Sequence, residues 1–346
     1  MGKPISAQLL EEALADQFGR PLHDLRISVI DRCNFRCPYC MPEARYPRDH
    51  AFLKSAERLD FAEIVRAARV FASLGVVKLR LTGGEPLLRK GIAELVASLK
   101  ALPGVEVAMT TNASLLSAHA AALRAAGLDR LTISLDSLDA QRFAQMSGGR
   151  GALSDVLEGI AAAQTAGFSA LKFNCVVQRG VNEEDVLPLV EHFRGTGHVL
   201  RFIEFMDVGT CNGWRAESVV SARQLRERVH ARFPLSEVAA GYQGEVAQRY
   251  QYLDGAGEVG FIASVSQPFC GDCSRARLSA DGQLYTCLFG AKSHDLRALL
   301  RAGASDSELA SNVRGIWQRR TDRYSQTRAE TQAARPNRVE MYQIGG

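Results

Sequence analysis

Six short runs of apolar residues alternate along the chain with segments of helical periodicity. The runs are rich in Val, Ile, Leu and Phe, which is typical of strands. They occupy residues 25–30, 77–83, 105–111, 130–136, 170–177 and 199–206. The helical segments 61–75, 117–127 and 152–167 each end at a glycine. Because repeated strand–helix units require parallel strands with right-handed crossovers, we predict an α/β fold built on a partial (β/α)6 TIM-type barrel. A doubly wound open sheet is the competing arrangement.

Charge and hydropathy narrow the functional classes. The 346-residue chain has a formal net charge of +4 and no dominant block of like charge, so we expect no nucleic-acid partner. No apolar run reaches the roughly 18 residues of a membrane span, and the amino terminus carries acids rather than a basic and then apolar signal. We therefore expect a cytoplasmic protein with no membrane partner, and an anionic small molecule remains possible as its ligand.

Six of the eight cysteines form two tight triplets near opposite ends of the chain. The triplets are Cys33, Cys37 and Cys40, spaced C-x3-C-x2-C, and Cys270, Cys273 and Cys287, spaced C-x2-C-x13-C. In a reducing cytosol such triplets indicate metal or redox ligands rather than disulfides. Three thiolates on a cubane 4Fe-4S cluster leave one iron open to a substrate or cofactor. A zinc site is the alternative for either triplet, with His294 as a fourth ligand at the second. Cys175 is expected in the core, and Cys211 is unassigned.

Polar clusters begin where the predicted strands end. "DRCNFRCPYC" follows the first strand, "TGGEP" the second, "TTN" the third, "SLDS" the fourth and "EFM" the sixth. Because parallel strands end on one rim, these clusters are expected to converge into a site. Arg275 and Arg277 stand beside Cys273, where two planar, permanently charged guanidinium groups suit an anion or a nucleobase.

Two levels of family resemblance rest on these motifs. C-x3-C-x2-C with Tyr39 before its last cysteine, together with "GGEP" at 83–86, resembles the radical S-adenosylmethionine (radical SAM) superfamily. The second triplet, "SRARLSADGQLYTCLF", "RFIEFM" and the final "QIGG" resemble the GTP 3′,8-cyclase family, from about residue 25 to the last residue. Ser274 stands where that family would be expected to have Asn. The resemblance implies three regions: an N-terminal extension over 1–24, a radical SAM partial barrel over 25–210, and a C-terminal α+β extension over 211–346 that carries a second iron–sulfur cluster.

The resemblance also implies two 4Fe-4S clusters and S-adenosylmethionine as cofactors. The first triplet would hold the cluster that binds S-adenosylmethionine, and the second a cluster whose open iron meets the guanine of GTP. The positions that match contacts to S-adenosylmethionine are Tyr39, Gly84, Glu85, Ser134 and Met206. The positions that match contacts to GTP are Arg26, Arg80, Thr111, Lys172, Arg275, Ala276 and Arg277. Ser137 and Thr110 are the alternatives to Ser134 and Thr111.

The implied reaction converts GTP to (8S)-3′,8-cyclo-7,8-dihydroguanosine 5′-triphosphate, the first step of molybdenum cofactor biosynthesis. A 5′-deoxyadenosyl radical would take the hydrogen from ribose C3′, and the carbon radical would attack C8 of guanine. Arg275, Arg277 and the terminal Gly345 and Gly346 are the implied catalytic residues, since two glycines let a chain end thread into a narrow site. Without the glycines, the polar tail would be interpreted as disordered.

The family further implies a lyase that acts as a homodimer, takes electrons from a donor such as flavodoxin or ferredoxin, and passes its product to cyclic pyranopterin monophosphate synthase.

Two other hypotheses about the function stay open. One is a radical SAM peptide-modifying maturase with an auxiliary cluster. The other is an iron–sulfur electron carrier or zinc-stabilised binding protein, against which two incompletely ligated triplets count.

Overall fold

A computed structural model describes residues 14–328 and 338–345 of the chain. Within this part, twelve strands form one mixed sheet. They are β1 (Asp24–Ser28), β2 (Lys78–Thr82), β3 (Glu106–Thr111), β4 (Arg130–Ser134), β5 (Lys172–Val177), β6 (Val199–Glu204), β7 (Leu235–Val238), β8 (Gln248–Tyr252), β9 (Glu258–Ile262), β10 (Arg275–Leu278), β11 (Gln283–Tyr285) and β12 (His294–Asp295).

The strand order is β12-β11-β10-β1-β2-β3-β4-β5-β6-β9-β8-β7. The six predicted strands are β1 to β6, and they pair in parallel in chain order. β10 and β9 add a parallel strand to each side of these six, and antiparallel strands complete both edges. The predicted α/β partial barrel with a C-terminal extension is thus confirmed. Strands from both sides of the predicted boundary at residue 210 share the sheet, and that boundary stays a prediction.

Ten α-helices lie in the described residues. They are α1 (Phe61–Ser73), α2 (Ile92–Lys100), α3 (Leu116–Ala125), α4 (Ala140–Met146), α5 (Leu153–Thr165), α6 (Val186–Phe193), α7 (Ala222–Arg232), α8 (Leu296–Arg301), α9 (Asp306–Gln318) and α10 (Met341–Ile344). α1 begins at a capping box in which Asp60 accepts from Glu63 N and the Glu63 carboxylate accepts from Asp60 N. None of the described helices is both long and apolar enough to cross a membrane.

Apolar and polar residues alternate along the strands, so the sheet has an apolar face in the core and a polar face, called the site face below. Leu25 and Ile27 of β1 are fully buried, as are Leu79 and Leu81 of β2, and they join one large apolar core. The intervening residues of each strand are polar and face the other way. Cys175, completely buried in β5, belongs to the core as expected. The sheet thus has one apolar face, packed by helices, and one face that carries charge.

Residues 14–22 form a closed loop beside β10, ahead of the first strand. Ala15 and Pro21 make an isolated bridge, and Leu22 N donates to Leu14 O at 2.9 Å. Trp317, at the end of α9 and 1% exposed, donates through Nε1 to Arg20 O at 3.0 Å. The described part of the predicted N-terminal extension is therefore integrated into the fold.

Candidate active site

The loop after β1 carries the first cysteine triplet at the carboxyl end of the sheet. Arg36, buried within this loop, donates to the carbonyl oxygens of Cys33 at 2.7 Å, Phe35 at 2.9 Å and Tyr46 at 2.6 Å. These bonds wrap the loop around one guanidinium group, a role that the sequence pattern did not assign to Arg36. The three cysteines of the loop are only partly buried, so they remain accessible to a ligand.

The Gly-Gly-Glu motif after β2 lies directly against the cysteine loop. Gly84 N donates to Ile30 O at 2.8 Å, and Glu85 N donates to Arg32 O at 2.9 Å. A Cβ atom on Gly84 would overlap the carbonyl group of Arg32, so only glycine permits this approach. The motif and the first triplet therefore share one wall of the rim.

Glu85 links the ends of β2 and β3. Its buried carboxylate accepts hydrogen bonds from Thr111 Oγ1 at 2.7 Å, Asn112 N at 2.8 Å and Leu87 N at 3.0 Å. Burial raises the pKa of Glu85 to about 7, although these hydrogen bonds oppose the rise. The Thr111 hydroxyl thus faces Glu85. Thr110 lies on the opposite face of β3 and lines the cavity that also contains the second cysteine triplet, called the central cavity below. Thr111 as a GTP contact stays a prediction.

Tyr39 and the end of β4 meet through Asp136, which belongs to the "SLDS" cluster but was given no role from the sequence. Tyr39 donates its hydroxyl to Asp136 Oδ2 at 2.8 Å, and Val176 N donates to Asp136 Oδ1 at 2.8 Å. Burial raises the pKa of Asp136 to about 6. Ser134 is partly exposed at the end of β4, whereas Ser137 is fully buried and accepts a backbone hydrogen bond in the turn before α4. The geometry favours Ser134 over Ser137 as a ligand contact.

The thiols of the first triplet are held in a poorly solvated, anionic setting. Burial raises the pKa of Cys33 to about 12, and the charge of Glu85 adds to the effect. The pKa values of Cys37 and Cys40 are raised well above the ordinary thiol value by burial and then by the neighbouring thiols. Such thiols become ligands when a cation compensates their charge. Arg36 opposes the rise only in part and only at Cys33, so the three thiols need a further cation to become ligands, which the iron of an iron–sulfur cluster would supply.

The second triplet lies at one end of the central cavity, on the loops that flank β10 and β11. All three thiols line this cavity together with Arg275 and Arg277. Burial would raise the pKa of Cys273, but the charges of Arg275 and Arg320 and a hydrogen bond from Arg275 Nη2 at 3.3 Å lower it to about 6. A thiolate stabilised by guanidinium groups also fits an iron–sulfur cluster.

His294, the predicted fourth ligand of the alternative zinc site, is not among the residues that line the cavity of the second triplet. His294 lies exposed on β12. Among the described residues, no group of three His, Cys, Asp or Glu side chains is already arranged to hold a metal ion, and this holds for both cysteine triplets. The thiols of this triplet instead surround a cavity that extends toward the middle of the sheet.

Strand register aligns the predicted arginines in a row across the site face. Arg26 of β1 is opposite Arg277 of β10 on one side and Arg80 of β2 on the other. All three line the central cavity, as does Met206 after β6. Ala276 is 1% exposed and lies on the core side of β10, so only its backbone can reach a ligand. Burial and then Arg275 lower the pKa of Arg277 to about 10.

A second cavity adjoins the first and is strongly cationic. The two share Arg26, Arg80, Arg201 and Arg275 among their lining residues. The cations that line the second cavity are Arg26, Lys78, Arg80, Arg130, Lys172, Arg201, Arg249 and Arg275, and the carboxylates are Asp24, Glu245 and Glu258. Eight cations against three carboxylates make this cavity suitable for a polyanion.

Lys172 of this cavity was predicted from the sequence, but Lys78, Arg130 and Arg201 were not. Each of the three lies on the site face of its strand. The alternation of polar and apolar residues along the predicted strands could have identified them. Burial and then the charge of Arg201 lower the pKa of Lys172 to about 8. Burial and then Arg80 lower the pKa of Arg201 to about 10. These cations are costly to desolvate together, which favours binding of an anion between them.

The C-terminal tail enters the site from the side of β2. Arg277 Nη1 donates to Gly345 O and, at 3.4 Å, to Ile344 O. Gly345 is buried with φ +68°, and a Cβ atom there would overlap Thr82 at the end of β2. Gly345 is thus beside a predicted catalytic arginine, and Gly346 lies outside the described residues.

The tail is fixed to the loop after β6 by a carboxylate. Glu340 Oε1 accepts from Thr210 N at 2.9 Å and Thr210 Oγ1 at 2.7 Å, and Glu340 Oε2 accepts from Cys211 Sγ at 3.0 Å. These contacts hold the residue that precedes α10. They also give Cys211, which the sequence left unassigned, a place in anchoring the tail.

Two family models together match most of the chain. The model of the radical SAM superfamily matches residues 27–193, and the model named Molybdenum Cofactor Synthesis C matches residues 198–326. A GTP 3′,8-cyclase of Xanthomonas campestris pv. campestris (strain B100) is 59% identical over 334 residues, which cover 96% of this chain and 97% of that protein. GTP 3′,8-cyclases of Acidothermus cellulolyticus (50% identity; 92% and 90% covered) and Staphylococcus saprophyticus (44%; 97% and 99% covered) are also similar.

Solved structures support the fold. SuiB of Streptococcus suis, in a crystal structure with S-adenosylmethionine, is 16% identical with a TM-score of 0.58, covering 91% of this chain and 71% of that chain. The same protein bound to the precursor peptide SuiA is 15% identical with a TM-score of 0.59, covering 89% and 69%. At such low identity, the likeness extends to the fold alone.

Proposed function

The chain belongs to the GTP 3′,8-cyclase family of the radical SAM superfamily, and we propose on this basis how its two cavities hold and orient the substrate. The reaction of the family converts GTP to (8S)-3′,8-cyclo-7,8-dihydroguanosine 5′-triphosphate in the first step of molybdenum cofactor biosynthesis. S-adenosylmethionine and a 4Fe-4S cluster are its radical SAM cofactors. A lyase class fits this ring-forming reaction.

The first triplet would hold the radical SAM cluster, with S-adenosylmethionine beside it. Tyr39, Gly84, Ser134 and Met206 would contact S-adenosylmethionine, and Glu85 would support the strand ends beside it. When bound, the cluster and S-adenosylmethionine supply the radical that removes hydrogen from ribose C3′. The protein's own part is to orient the ribose and exclude water around it.

The second triplet would hold a further 4Fe-4S cluster, against which the guanine of GTP lies. This placement rests on one observation: the cavity that contains the three thiols adjoins the cavity lined by eight cations, and Arg26, Arg80, Arg201 and Arg275 line both. A base at the thiol end and a triphosphate among the cations would bring the ribose to the middle, facing the first triplet. Arg26, Arg80 and Lys172 would then hold phosphates, while Arg277 and the Gly345 carbonyl close the cavity near the reacting carbons.

The implied partners follow from the chemistry and stay part of the proposal. A low-potential donor such as flavodoxin or ferredoxin would supply the electron, and cyclic pyranopterin monophosphate synthase would consume the product. A homodimer and a cytoplasmic location are expected of the family. The peptide-modifying maturase has only the fold of SuiB in its favour, since a peptide has no evident use for the cationic cavity.

Anaerobic reconstitution tests the proposal. With iron, sulfide, S-adenosylmethionine, dithionite and GTP, we expect about eight irons per chain, the sum of two cubane clusters, and a cyclised guanosine triphosphate. A matched variant with Cys270, Cys273 and Cys287 all changed to Ser should keep about four irons and lose the cyclised product. Eight irons in that variant, or about four in the unmodified protein, would refute the second cluster without refuting the radical SAM assignment.

A further inference from the structure

A buried ion network lies directly behind the second triplet. Its members are Asp16 and Arg20 from the loop ahead of β1, and Arg320 and Asp322 from the segment after α9. The side chains of Asp16, Arg20 and Arg320 are at most 1% exposed. The contacts between the two pairs join residues that are 302 and 304 positions apart in the chain. The network therefore joins the two ends of the described chain at the proposed cluster.

Each member of the network has polar contacts with two of the others. Asp16 Oδ2 accepts from Arg20 Nε at 2.6 Å and from Arg320 Nη1 at 3.2 Å. Arg20 Nη1 donates to Asp322 O at 2.8 Å, and Arg320 Nε lies 3.5 Å from Asp322 Oδ2. Trp317 lies under Arg320, with 4.5 Å between the guanidinium carbon and the ring centroid. Two guanidinium groups and two carboxylates thus compensate one another, with Asp16, Arg20 and Arg320 buried and the Asp322 side chain 35% exposed.

The network reaches the chain at all three positions of the second triplet. Arg20 Nη1 donates to Cys270 O at 2.7 Å, and Arg320 Nη1 donates to Cys273 O at 2.6 Å. Thr286, which precedes Cys287, donates its hydroxyl to the Asp322 carboxylate. One network thus holds the carbonyl groups of Cys270 and Cys273 and the residue before Cys287. It thereby fixes the positions of the three thiols relative to one another.

Two atoms of the network have no hydrogen-bond partner among the described residues: Arg20 Nη2, and Arg320 Nε, which lies 3.5 Å from Asp322 Oδ2. Arg20 Nη2 is buried and has no partner among the described residues, and the Arg20 side chain lines the cavity that contains the three thiols. A buried guanidinium N–H that lacks an acceptor is costly. An acceptor bound within the cavity would satisfy it.

We propose that the Asp16–Arg20–Arg320–Asp322 network positions the second 4Fe-4S cluster, and that Arg20 Nη2 donates a hydrogen bond to a sulfur atom of that cluster or of its cysteine ligands. This inference rests on the proposed function, because it requires the second cluster. Hydrogen bonds to cluster sulfur stabilise the reduced state and raise the reduction potential. The first 24 residues thereby contribute a positioning residue to a site formed near the opposite end of the chain.

The test compares Arg20→Lys, Arg20→Gln and Asp16→Asn with Arg319→Gln in the full-length reconstituted protein. Arg319 neighbours Arg320 but is exposed, so its variant is a matched control. The readouts are iron per chain, the rate of iron release to a chelator, and an anaerobic redox titration of each cluster followed by electron paramagnetic resonance. The spectral response of the first cluster to S-adenosylmethionine reports whether a variant is folded.

For Arg20→Lys we expect about eight irons and an unchanged first cluster, but a lower reduction potential of the second cluster and iron release about tenfold faster. Arg20→Gln and Asp16→Asn should lose iron from the second cluster selectively. The inference would be overturned if Arg20→Lys and Arg20→Gln kept the reduction potential of the second cluster and the rate of iron release seen in the control variant. So would loss of iron from both clusters in every Arg20 and Asp16 variant, since that result assigns the network to general folding. About four irons in the unmodified protein would refute the second cluster itself, and this inference with it.

Discussion

The Gly345→Ala variant should separate insertion of the tail from folding of the rest of the protein. Gly345 adopts φ +68°, and its Cβ position overlaps Thr82. A left-handed conformation costs an L-residue about 1–2 kcal/mol, and overpacking a buried site costs about 1–3 kcal/mol more. The inserted tail is then disfavoured by about 2–5 kcal/mol, which corresponds to a factor of about 30 to several thousand.

When the tail withdraws, Arg277 loses its contact with the Gly345 carbonyl and the cavity opens beside β2. Because a misplaced catalytic group can cost about 100-fold, we expect kcat for GTP to fall about 100-fold. Iron content and the thermal unfolding temperature should stay near those of the unmodified protein. The assay is the initial rate of cyclised product over a range of GTP concentrations, with limited proteolysis of the tail as an independent readout.

A second substitution checks the physical cause. Thr82→Ala removes the Oγ1 and Cγ2 atoms, two of the three atoms closest to the added Cβ. The Thr82→Ala, Gly345→Ala double variant should therefore recover part of the lost kcat, and the coupling between the two changes should be favourable. A Gly345→Ala variant with normal kcat and a protected tail would show that the inserted tail tolerates a side chain here. Purely additive losses would assign the defect to backbone strain rather than to the clash.

Three further predictions concern the substrate and the tail. Lys172 should hold phosphate only while it is protonated. Since its pKa is lowered to about 8, the KM for GTP should rise between pH 7 and 9, whereas a Lys172→Arg variant should show a flatter pH profile of KM. Identical pH profiles of the two proteins would exclude this role. Arg201→Met should raise the KM for GTP about tenfold with a smaller salt dependence. Arg314→Met serves as the control, because Arg314 is exposed and lines neither cavity, and equal effects of both changes would contradict specific phosphate binding. Glu340→Gln should weaken the attachment of the tail to Thr210 and Cys211. Because a hydrogen bond to a charged group contributes about 1.5–3 kcal/mol, we expect faster proteolysis of the C-terminus and a kcat about tenfold lower. An unchanged proteolysis rate would argue against this role of Glu340.

The parallel centre of the fold was predictable because β1 to β6 are apolar runs between helices. β9 and β10 were not, for different reasons. β10 has only four residues, and two of them are the site arginines Arg275 and Arg277, so its apolar pattern is too short to interpret. β9 is the last strand of an antiparallel meander, and nothing in its sequence indicates that it pairs with β6.

The candidate site was predictable where chemistry concentrates in a motif. Cysteine spacing, the Gly-Gly-Glu turn and the paired arginines each specify a local structure by themselves. Choosing Thr110 or Thr111 required the register of β3, because a one-residue shift moves a side chain to the other face. Asp136 and the Asp16–Arg20–Arg320–Asp322 network act through contacts between distant segments, which no local pattern encodes. Arg36 contacts carbonyl groups of its own loop, but nothing in the motif distinguishes it from a surface arginine.

The position of the GTP ribose, facing the first triplet, can be checked by transfer of an isotopic label. GTP carrying deuterium at C3′ would be incubated anaerobically with the reconstituted protein, S-adenosylmethionine and dithionite. We expect one deuterium in 5′-deoxyadenosine for each cyclised triphosphate formed, because the radical formed at the first triplet takes its hydrogen from that carbon. Formation of 5′-deoxyadenosine without deuterium, with GTP recovered unchanged, would contradict the proposed placement of the substrate.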